Sequence, residues 1–489
     1  MYANDAFGSF IFTLHGCGAG AGSGRRECPR SRHSQERRSM AMNLSEHEAR
    51  IRRVMQWFGP ARFGLFHHWA LFTGGGNTYA GPRNRPLAYS TIREFEAAAP
   101  EPAVFAKNII ATAMRIRARY ITFTVVHSCD GWAVMYPTKV PGFLNIATRD
   151  YIGALVEEGA RSGVKIILYV PGSMGHWDSE GGPWVGECLR SPEGYGAGLR
   201  ALVQELVARH GTKIAGFWLD GLMWQLGDLP ALIHRQLPDA VVAVNGHTRF
   251  NARDMDVSTT EFLSNRTEPP YNRPGGLIKP IEWVGCLPPR KDFNEDIPTC
   301  NDWWHGALPY TDGFAAEFAY VQGLGNYQRD PLFWIREMLC SLGLRGQWNY
   351  TMGLGPMLDG TVPAEFKPMI GAMESFMSWA AEAIFETTGG EGSGLLAGWC
   401  NDGAFCTVTV SLKDPTVHYI HVTEAPKSDC LRVQTNFRFV QSVENLRTGE
   451  AISFTQNGAV EITPKSWAEV AEHGAAVFRV ILDPLDPRP

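Results

Sequence analysis

The chain has 489 residues, of which 44% are hydrophobic, and a formal net charge of −5 at pH 7. A chain of this length and composition can bury a full hydrophobic core, and its length predicts two domains. The mildly acidic charge supplies no basic surface for nucleic acid or for an anionic membrane, so we expect neither partner. Because no run of about 18 apolar residues occurs, we also expect no transmembrane helix.

The N-terminal segment, residues 1–42, differs in composition from the rest. An apolar patch, FGSFIFTLHG, precedes the arginine-rich GRRECPRSRHSQERR. Positive charge that follows an apolar patch is the reverse of a secretory signal. We predict a disordered extension, with an organellar transit peptide as the alternative, and an intracellular location is favoured over secretion. Residues 43–59 then form an amphipathic pattern that predicts a helix with Ser45 as its N-cap.

From residue 43 to 387, apolar β-type runs alternate with helical stretches. The eight runs are residues 62–69, 120–128, 164–170, 214–221, 240–246, 257–262, 281–286 and 348–355. This alternation predicts an α/β fold with a (β/α)8 TIM-like barrel. The alternative is a doubly wound sheet, whose nucleotide-binding form is disfavoured because no G-x-G-x-x-G turn follows an early strand. The helical stretches 148–163 and 196–211 end on glycines that we expect to be left-handed C-caps.

Short alternating strands follow between residues 404 and 482, at a spacing of about ten residues. They predict an antiparallel β-sandwich domain over residues 388–489. Ten cysteines are scattered along the chain without a C-x-x-C pair, so we expect no structural metal site. Cys340, in the helical run WIREMLCSLG, is predicted to be a small buried hydrophobe.

Several predicted barrel strands end on polar side chains. The apolar run GFWL ends on Asp220, and Gly221 follows at once. Such residues occur at the other strand ends too, namely His67, His68, His127, Asp130, Asn245, Glu261 and Glu282. Catalytic side chains of parallel barrels lie at this end of the strands, and glycoside hydrolysis requires at least two carboxylates, which Asp220 with Glu261 or Glu282 would supply. The alternative for Asp220 alone is a helix cap. A zinc hydrolase is disfavoured because no H-x-H or H-E-x-x-H spacing occurs.

Five blocks of the sequence together resemble the α-L-fucosidases, a family of retaining glycoside hydrolases. The blocks are ARFGLFHHWALF, ARYITFTVVHSCDGW, GVKIILYV, GFWLDG and GLGPMLDGTVP, and their order and spacing match over about residues 50 to 489. The resemblance implies a catalytic barrel with a C-terminal β-sandwich and no metal or cofactor. It also implies an exo-acting enzyme that removes terminal α-L-fucose, or a related deoxy sugar, from a carbohydrate substrate by double displacement.

The resemblance further assigns roles to individual residues. Asp220 would be the nucleophile, with Glu261 as the acid/base and Glu282 in reserve. Glu282 lies two residues before Val284, which occupies the position of a family glutamate; two residues along a strand return to the same face. A strand-end salt bridge is the alternative role for Glu282. The expected sugar-pocket residues are His68, His127, Trp132, Tyr169, Trp218 and Arg249.

The chain departs from the family pattern at several pocket positions. Ser128 and Cys129 stand where consecutive histidines are expected, and Gly353 replaces an asparagine. A thiol is a weaker hydrogen-bonding partner than imidazole. The alternative function is therefore a non-catalytic or altered-specificity sugar-binding relative of the fucosidases. The sequence leaves the linkage, the aglycone and the oligomeric state open.

Overall fold

Eight parallel strands pair side by side in a closed ring in the computed structural model. They are β1 (Phe63–His67), β4 (Tyr120–Thr124), β5 (Lys165–Pro171), β6 (Ile214–Asp220), β7 (Val241–Asn245), β8 (Val257–Thr260), β9 (Thr299–Trp303) and β10 (Asn349–Gly353). The order around the ring is β1, β10, β9, β8, β7, β6, β5, β4, and β1 pairs with both β10 and β4. Two short antiparallel strands, β2 (Tyr79–Ala80) and β3 (Pro86–Leu87), lie outside the ring.

The structure describes most of the chain between residues 49 and 484. The described ranges are 49–50, 52–74, 79–80, 86–127, 131–171, 184–220, 228–245, 256–260, 299–303, 330–344, 349–390, 394–396, 398–435 and 438–484. Residues 49–50 and 52–55 are helical, within the helix predicted for residues 43–59. Its proposed N-cap, Ser45, lies outside the described residues.

One ring strand was not predicted from the sequence. Seven of the eight predicted runs coincide with a ring strand, and the eighth, residues 281–286, lies outside the described residues. The seventh ring strand in chain order is Thr299–Trp303. Thr299–Trp303 pairs with β8 on one side and with β10 on the other. The run TCNDW has little apolar character, so its alternation did not predict a strand, and its pairing is decided by two neighbours distant in sequence.

A glycine and a large aromatic residue lie side by side on neighbouring ring strands. Gly64 of β1 pairs in register with Tyr120 of β4. A Cβ added at Gly64 would lie only 2.3 Å from the nearest atom of the Tyr120 ring. Thr351 of β10 is the register partner of Gly64 on its other side, and the Tyr120 phenol passes over Gly64 to hydrogen-bond with the Thr351 hydroxyl at 2.7 Å. Glycine at position 64 therefore leaves the space that this aromatic ring fills, below the level of the candidate site.

The helices are α1 (Phe58–Ala61), α2 (Ile92–Ala98), α3 (Pro102–Arg115), α4 (Tyr151–Ser162), α5 (Pro192–His210), α6 (Leu229–Gln236), α7 (Phe333–Leu344), α8 (Lys367–Ala380) and α9 (Ala468–His473). Short 3₁₀ turns occur at Glu187–Leu189, Gly211–Lys213, Ala364–Phe366, Ala381–Ala383 and Asn401–Gly403. Between β7 and β9 the described segments contain no helix. The α/β class is confirmed, whereas the full (β/α)8 arrangement stays a prediction.

The helix ends test the expected glycine caps. The Asp150 carboxylate accepts from the Gly153 N–H at the start of α4, and Gly163 at its end is left-handed with φ 77°. That prediction is confirmed. Gly211 after α5 has φ 52° but ψ −134°, so the prediction of a left-handed cap is wrong there. The chain enters a 3₁₀ turn at Gly211 instead of continuing through a left-handed residue. Cys340 is buried in α7, as predicted.

Residues 387–482 form two antiparallel sheets. One contains β11 (Thr387–Gly389), β12 (Gly398–Trp399), β13 (Phe405–Ser411), β14 (Val417–Glu424), β16 (Val440–Asn445) and β19 (Ala476–Leu482). The other contains β15 (Leu431–Gln434), β17 (Phe454–Gln456) and β18 (Ala459–Ile462). Val408 and Ile420 of the first sheet share a core with Val433 and Val460 of the second. The antiparallel strands predicted for this region are thus confirmed, and the domain boundaries at 42 and 387 stay predictions.

No helix among the described residues is both long and apolar enough to cross a membrane.

Candidate active site

The carboxyl ends of β5 and β6 carry the centre of the candidate site. Trp218 and Asp220 are two residues apart on β6 and therefore project from the same face of the strand. Tyr169 of β5 pairs in register with Trp218. The Tyr169 hydroxyl donates a hydrogen bond of 2.5 Å to Oδ2 of Asp220. Tyr169 is buried, whereas Asp220 is partly exposed. The phenol therefore orients the carboxylate from the buried side, and Asp220 stays partly accessible.

Two histidines lie beside Tyr169. His68 follows β1 and His127 follows β4, and both are buried. Their ring centroids are 4.7 Å apart. The Tyr169 ring is 5.2 Å from His68 and 5.6 Å from His127. The structure thus brings together three of the predicted sugar-pocket residues next to Asp220.

His68 is uncharged at neutral pH. Burial lowers its pKa well below the usual value, and the neighbouring His127 and His67 lower it further. A neutral imidazole has one N–H donor and one acceptor nitrogen. It can therefore exchange hydrogen bonds with a hydroxyl group, and it adds no positive charge beside the carboxylate.

Phe66 packs against this group from β1. Its ring stacks on His68 at 5.2 Å and meets Trp218 at 5.3 Å and Tyr169 at 5.7 Å edge to face. Sequence reasoning did not select Phe66, although it lies two residues before His68 and so on the same face of the strand. No described residue accepts a hydrogen bond from the buried Nε1 of Trp218.

Trp132 makes a second aromatic contact, with a tyrosine that hydrogen-bonds to β5. It is buried, and its ring meets Tyr195 of α5 at 5.7 Å edge to face. The Tyr195 hydroxyl donates to the carbonyl of Pro171 at 2.7 Å, and Pro171 is the register partner of Asp220. Burial raises the pKa of Tyr195 well above its usual value, and the negative charge of Asp220 raises it further. Tyr195 was not predicted from the sequence, because only the fold brings this residue of α5 to the end of β5.

The other predicted site residues lie outside the described residues. These are Glu261, Glu282 and Arg249, as well as the divergent positions Ser128 and Cys129. Their roles stay predictions. Among the residues that the structure describes, no group of three or more His, Cys, Asp or Glu side chains could hold a metal ion.

The described part of the site can support nucleophilic chemistry by a carboxylate. Asp220 is partly exposed and oriented by a phenol, and the neutral imidazole of His68, which lies beside that phenol, can bind a hydroxyl group. The indole N–H of Trp218 adds a further buried donor at the same strand end.

No protein-family model matches this sequence, and no curated protein matches it either.

Solved structures, in contrast, resemble this chain over most of its length. α-L-Fucosidase isoenzyme 1 from Paenibacillus thiaminolyticus superposes with a TM-score of 0.63 at 16% identity, over 89% of this chain and 100% of that one. A GH29 α-L-fucosidase from Bacteroides thetaiotaomicron, a trapped covalent intermediate in complex with 2-fluoro-fucosyl fluoride, gives a TM-score of 0.60 at 17% identity, over 88% and 96% of the chains. The Thermotoga maritima α-fucosidase in complex with fucose gives a TM-score of 0.60 at 16% identity, over 87% and 96%. The resemblance to the α-L-fucosidases that the sequence indicates is therefore confirmed at the level of the fold.

Proposed function

We propose that this protein is a retaining glycoside hydrolase of the α-L-fucosidase type, acting on terminal α-L-fucose or a related deoxy sugar. The observation that carries the proposal is the hydrogen bond from Tyr169 to the partly exposed carboxylate of Asp220, at a strand end of a fucosidase-like fold. The corresponding architecture is a complete (β/α)8 barrel with a C-terminal β-sandwich.

In the proposed reaction, a carboxylate oxygen of Asp220 attacks the anomeric carbon while the acid/base protonates the departing glycosidic oxygen. The aglycone leaves and a covalent glycosyl-enzyme ester forms. The same acid/base then deprotonates a water molecule, which attacks the anomeric carbon and releases Asp220. Glu261 is the first choice for the acid/base and Glu282 the second. His68, His127 and the Trp218 indole would bind the sugar hydroxyls.

The direct test combines turnover with chemical trapping. The wild-type protein is expected to hydrolyse an aryl α-L-fucoside, and Asp220→Ala is expected to reduce kcat by about 10³-fold or more, because the covalent step loses its nucleophile. Incubation with 2-fluoro-fucosyl fluoride should label the wild-type protein on the peptide that contains Asp220, as measured by mass spectrometry.

Each other outcome has a defined meaning. Hydrolysis that survives Asp220→Ala would contradict the mechanism. Binding of fucose in calorimetry without hydrolysis or labelling would favour the non-catalytic sugar-binding alternative. Hydrolysis of another aryl deoxy-glycoside, but not of the fucoside, would place the protein among altered-specificity relatives.

A further inference from the structure

Two cysteines meet at one edge of the larger antiparallel sheet, in a part of the molecule that the proposed hydrolysis does not use. Cys400 directly follows β12 and Cys406 lies in β13. Their Sγ atoms are 3.5 Å apart and share a thiol hydrogen bond. Both residues are in the reduced form, and Cys400 is partly exposed while Cys406 is fully buried.

The backbone of a tight hairpin sets this sulfur contact. Trp399 pairs with Phe405, and the Cys400 N–H donates to the carbonyl of Ala404 at 2.8 Å. Asp402 closes the turn with φ 53°. A disulfide has an S–S length of about 2.05 Å, so each sulfur needs to move by less than about 1 Å to bond. Such a shift is within reach of side-chain rotation, with the hairpin intact.

The two thiols differ in reactivity. The hydrogen bond from Cys406 lowers the pKa of the Cys400 thiol, although burial opposes this effect. The same hydrogen bond, together with burial, raises the pKa of Cys406 well above its usual value. The thiolate is the reactive form, and Cys400 is also the more exposed of the two. Cys400 is therefore suited to react first with an external oxidant.

We propose that Cys400 and Cys406 are a reversible dithiol–disulfide site that exchanges with low-molecular-weight disulfides. The Cys400 thiolate attacks one sulfur of the external disulfide and displaces one thiolate, which leaves a mixed disulfide on Cys400. Cys406 transfers its proton to the released thiolate, attacks Sγ of Cys400 as a thiolate and displaces the second thiolate, which takes up a proton from water. The protein dithiol is oxidised by two electrons, and one external disulfide becomes two thiols.

The test is equilibration of the full-length wild-type protein in glutathione buffers of increasing oxidation, followed by acid quenching, denaturing alkylation and mass spectrometry. Cys400 and Cys406 should lose their alkylatable thiols together, as one internal disulfide with little glutathione attached. The equilibrium constant for forming this disulfide from oxidised glutathione should be about ten-fold or more larger in the folded protein than in the protein unfolded in guanidinium. The reason is that the hairpin holds the two sulfurs together.

One single-cysteine variant and one exposed wild-type cysteine supply the controls. In Cys406→Ser, glutathione should accumulate on Cys400, because no second thiol displaces it. Cys188 is exposed and reduced, and it should carry only mixed disulfide in the wild-type protein. The proposal is overturned if both thiols survive in the most oxidising buffer, if wild-type Cys400 keeps glutathione as Cys406→Ser does, or if Cys400 pairs with Cys430. If the variant does not fold, the wild-type protein alone still tests the proposal, through the presence or absence of the internal disulfide.

Discussion

At the residue scale, the contact between Tyr169 and Asp220 is the main addition of the structure. The sequence predicts Tyr169 as a sugar contact, whereas the fold shows its hydroxyl donating to the Asp220 carboxylate. A hydrogen bond to an ionised group typically contributes about 1.5–3 kcal/mol. This bond restricts the orientation of the Asp220 carboxylate.

Tyr169→Phe should therefore reduce kcat on an aryl α-L-fucoside by about 10- to 100-fold, which corresponds to the loss of one charge-assisted hydrogen bond. The phenyl ring keeps the packing against His68 and Phe66, so the protein should still fold. Steady-state kinetics with separate kcat and KM values measure the effect.

Tyr195→Phe is the matched control for Tyr169→Phe. It also removes one buried phenol, but the lost partner is the Pro171 carbonyl and not the carboxylate. We expect a loss of about 1 kcal/mol in the free energy of unfolding and a smaller change in kcat. Equal losses of kcat in the two variants would show that the hydrogen bond to Asp220 has no special role.

At the element scale, Asp256 joins three segments at the opposite end of the barrel from Asp220. It lies just before β8 and is fully buried. Its carboxylate accepts hydrogen bonds from Arg50 Nε at 2.9 Å and from the Val242 N–H of β7 at 2.8 Å. It also contacts Nε2 of His234 in α6 at 2.7 Å. One side chain thereby fixes the N-terminal helical residues and α6 to the sheet.

Asp256→Asn should destabilise the protein by about 3 kcal/mol or more, because a neutral amide replaces the fully buried carboxylate and pairs more weakly with the partly buried Arg50. Asp239→Asn is the control: Asp239 is 79% exposed and lies 3.8 Å from Arg53 Nε. Its loss should cost at most about 1 kcal/mol. Urea unfolding measures both, and similar values for the two variants would rule out the bracing role of Asp256.

At the scale of the whole molecule, buried histidines link stability to pH. Burial lowers the pKa of His67 to about 4 and that of His421 to about 3, and the positive charge of Arg62 adds to the effect on His421. Below a pH of about 6.5 the unfolded chain takes up protons on these residues while the folded protein does not. The stability that these neutral histidines contribute is thus fully present above pH 6.5 and is lost as the pH falls toward 4.

We expect the free energy of unfolding to fall increasingly steeply below pH 6.5, with a slope that approaches about 1.4 kcal/mol per pH unit for each such histidine near pH 5. His421→Gln should reduce this slope by the contribution of one histidine, because glutamine does not titrate. At pH 8 the slopes of both proteins should agree. Urea unfolding at several pH values tests this, and an unchanged slope in His421→Gln would contradict it.

The sequence by itself determined the local elements and the position of Asp220. Apolar runs of β-type residues predicted seven ring strands, and the alternating pattern of the C-terminal region predicted its antiparallel strands. These features depend on neighbours within a few residues, where side-chain periodicity is sufficient. The placement of Asp220 at a strand end follows from the same local pattern.

Only the tertiary structure decided which segments meet. The seventh ring strand is Thr299–Trp303, whose place is set by pairing with β8 and β10 and not by its own composition. Tyr169 lies 51 residues before its partner Asp220, and Tyr195 approaches from a helix. Hydrogen bonds and ring contacts of this kind join residues distant in sequence, and the periodicity of one segment carries no information about the other.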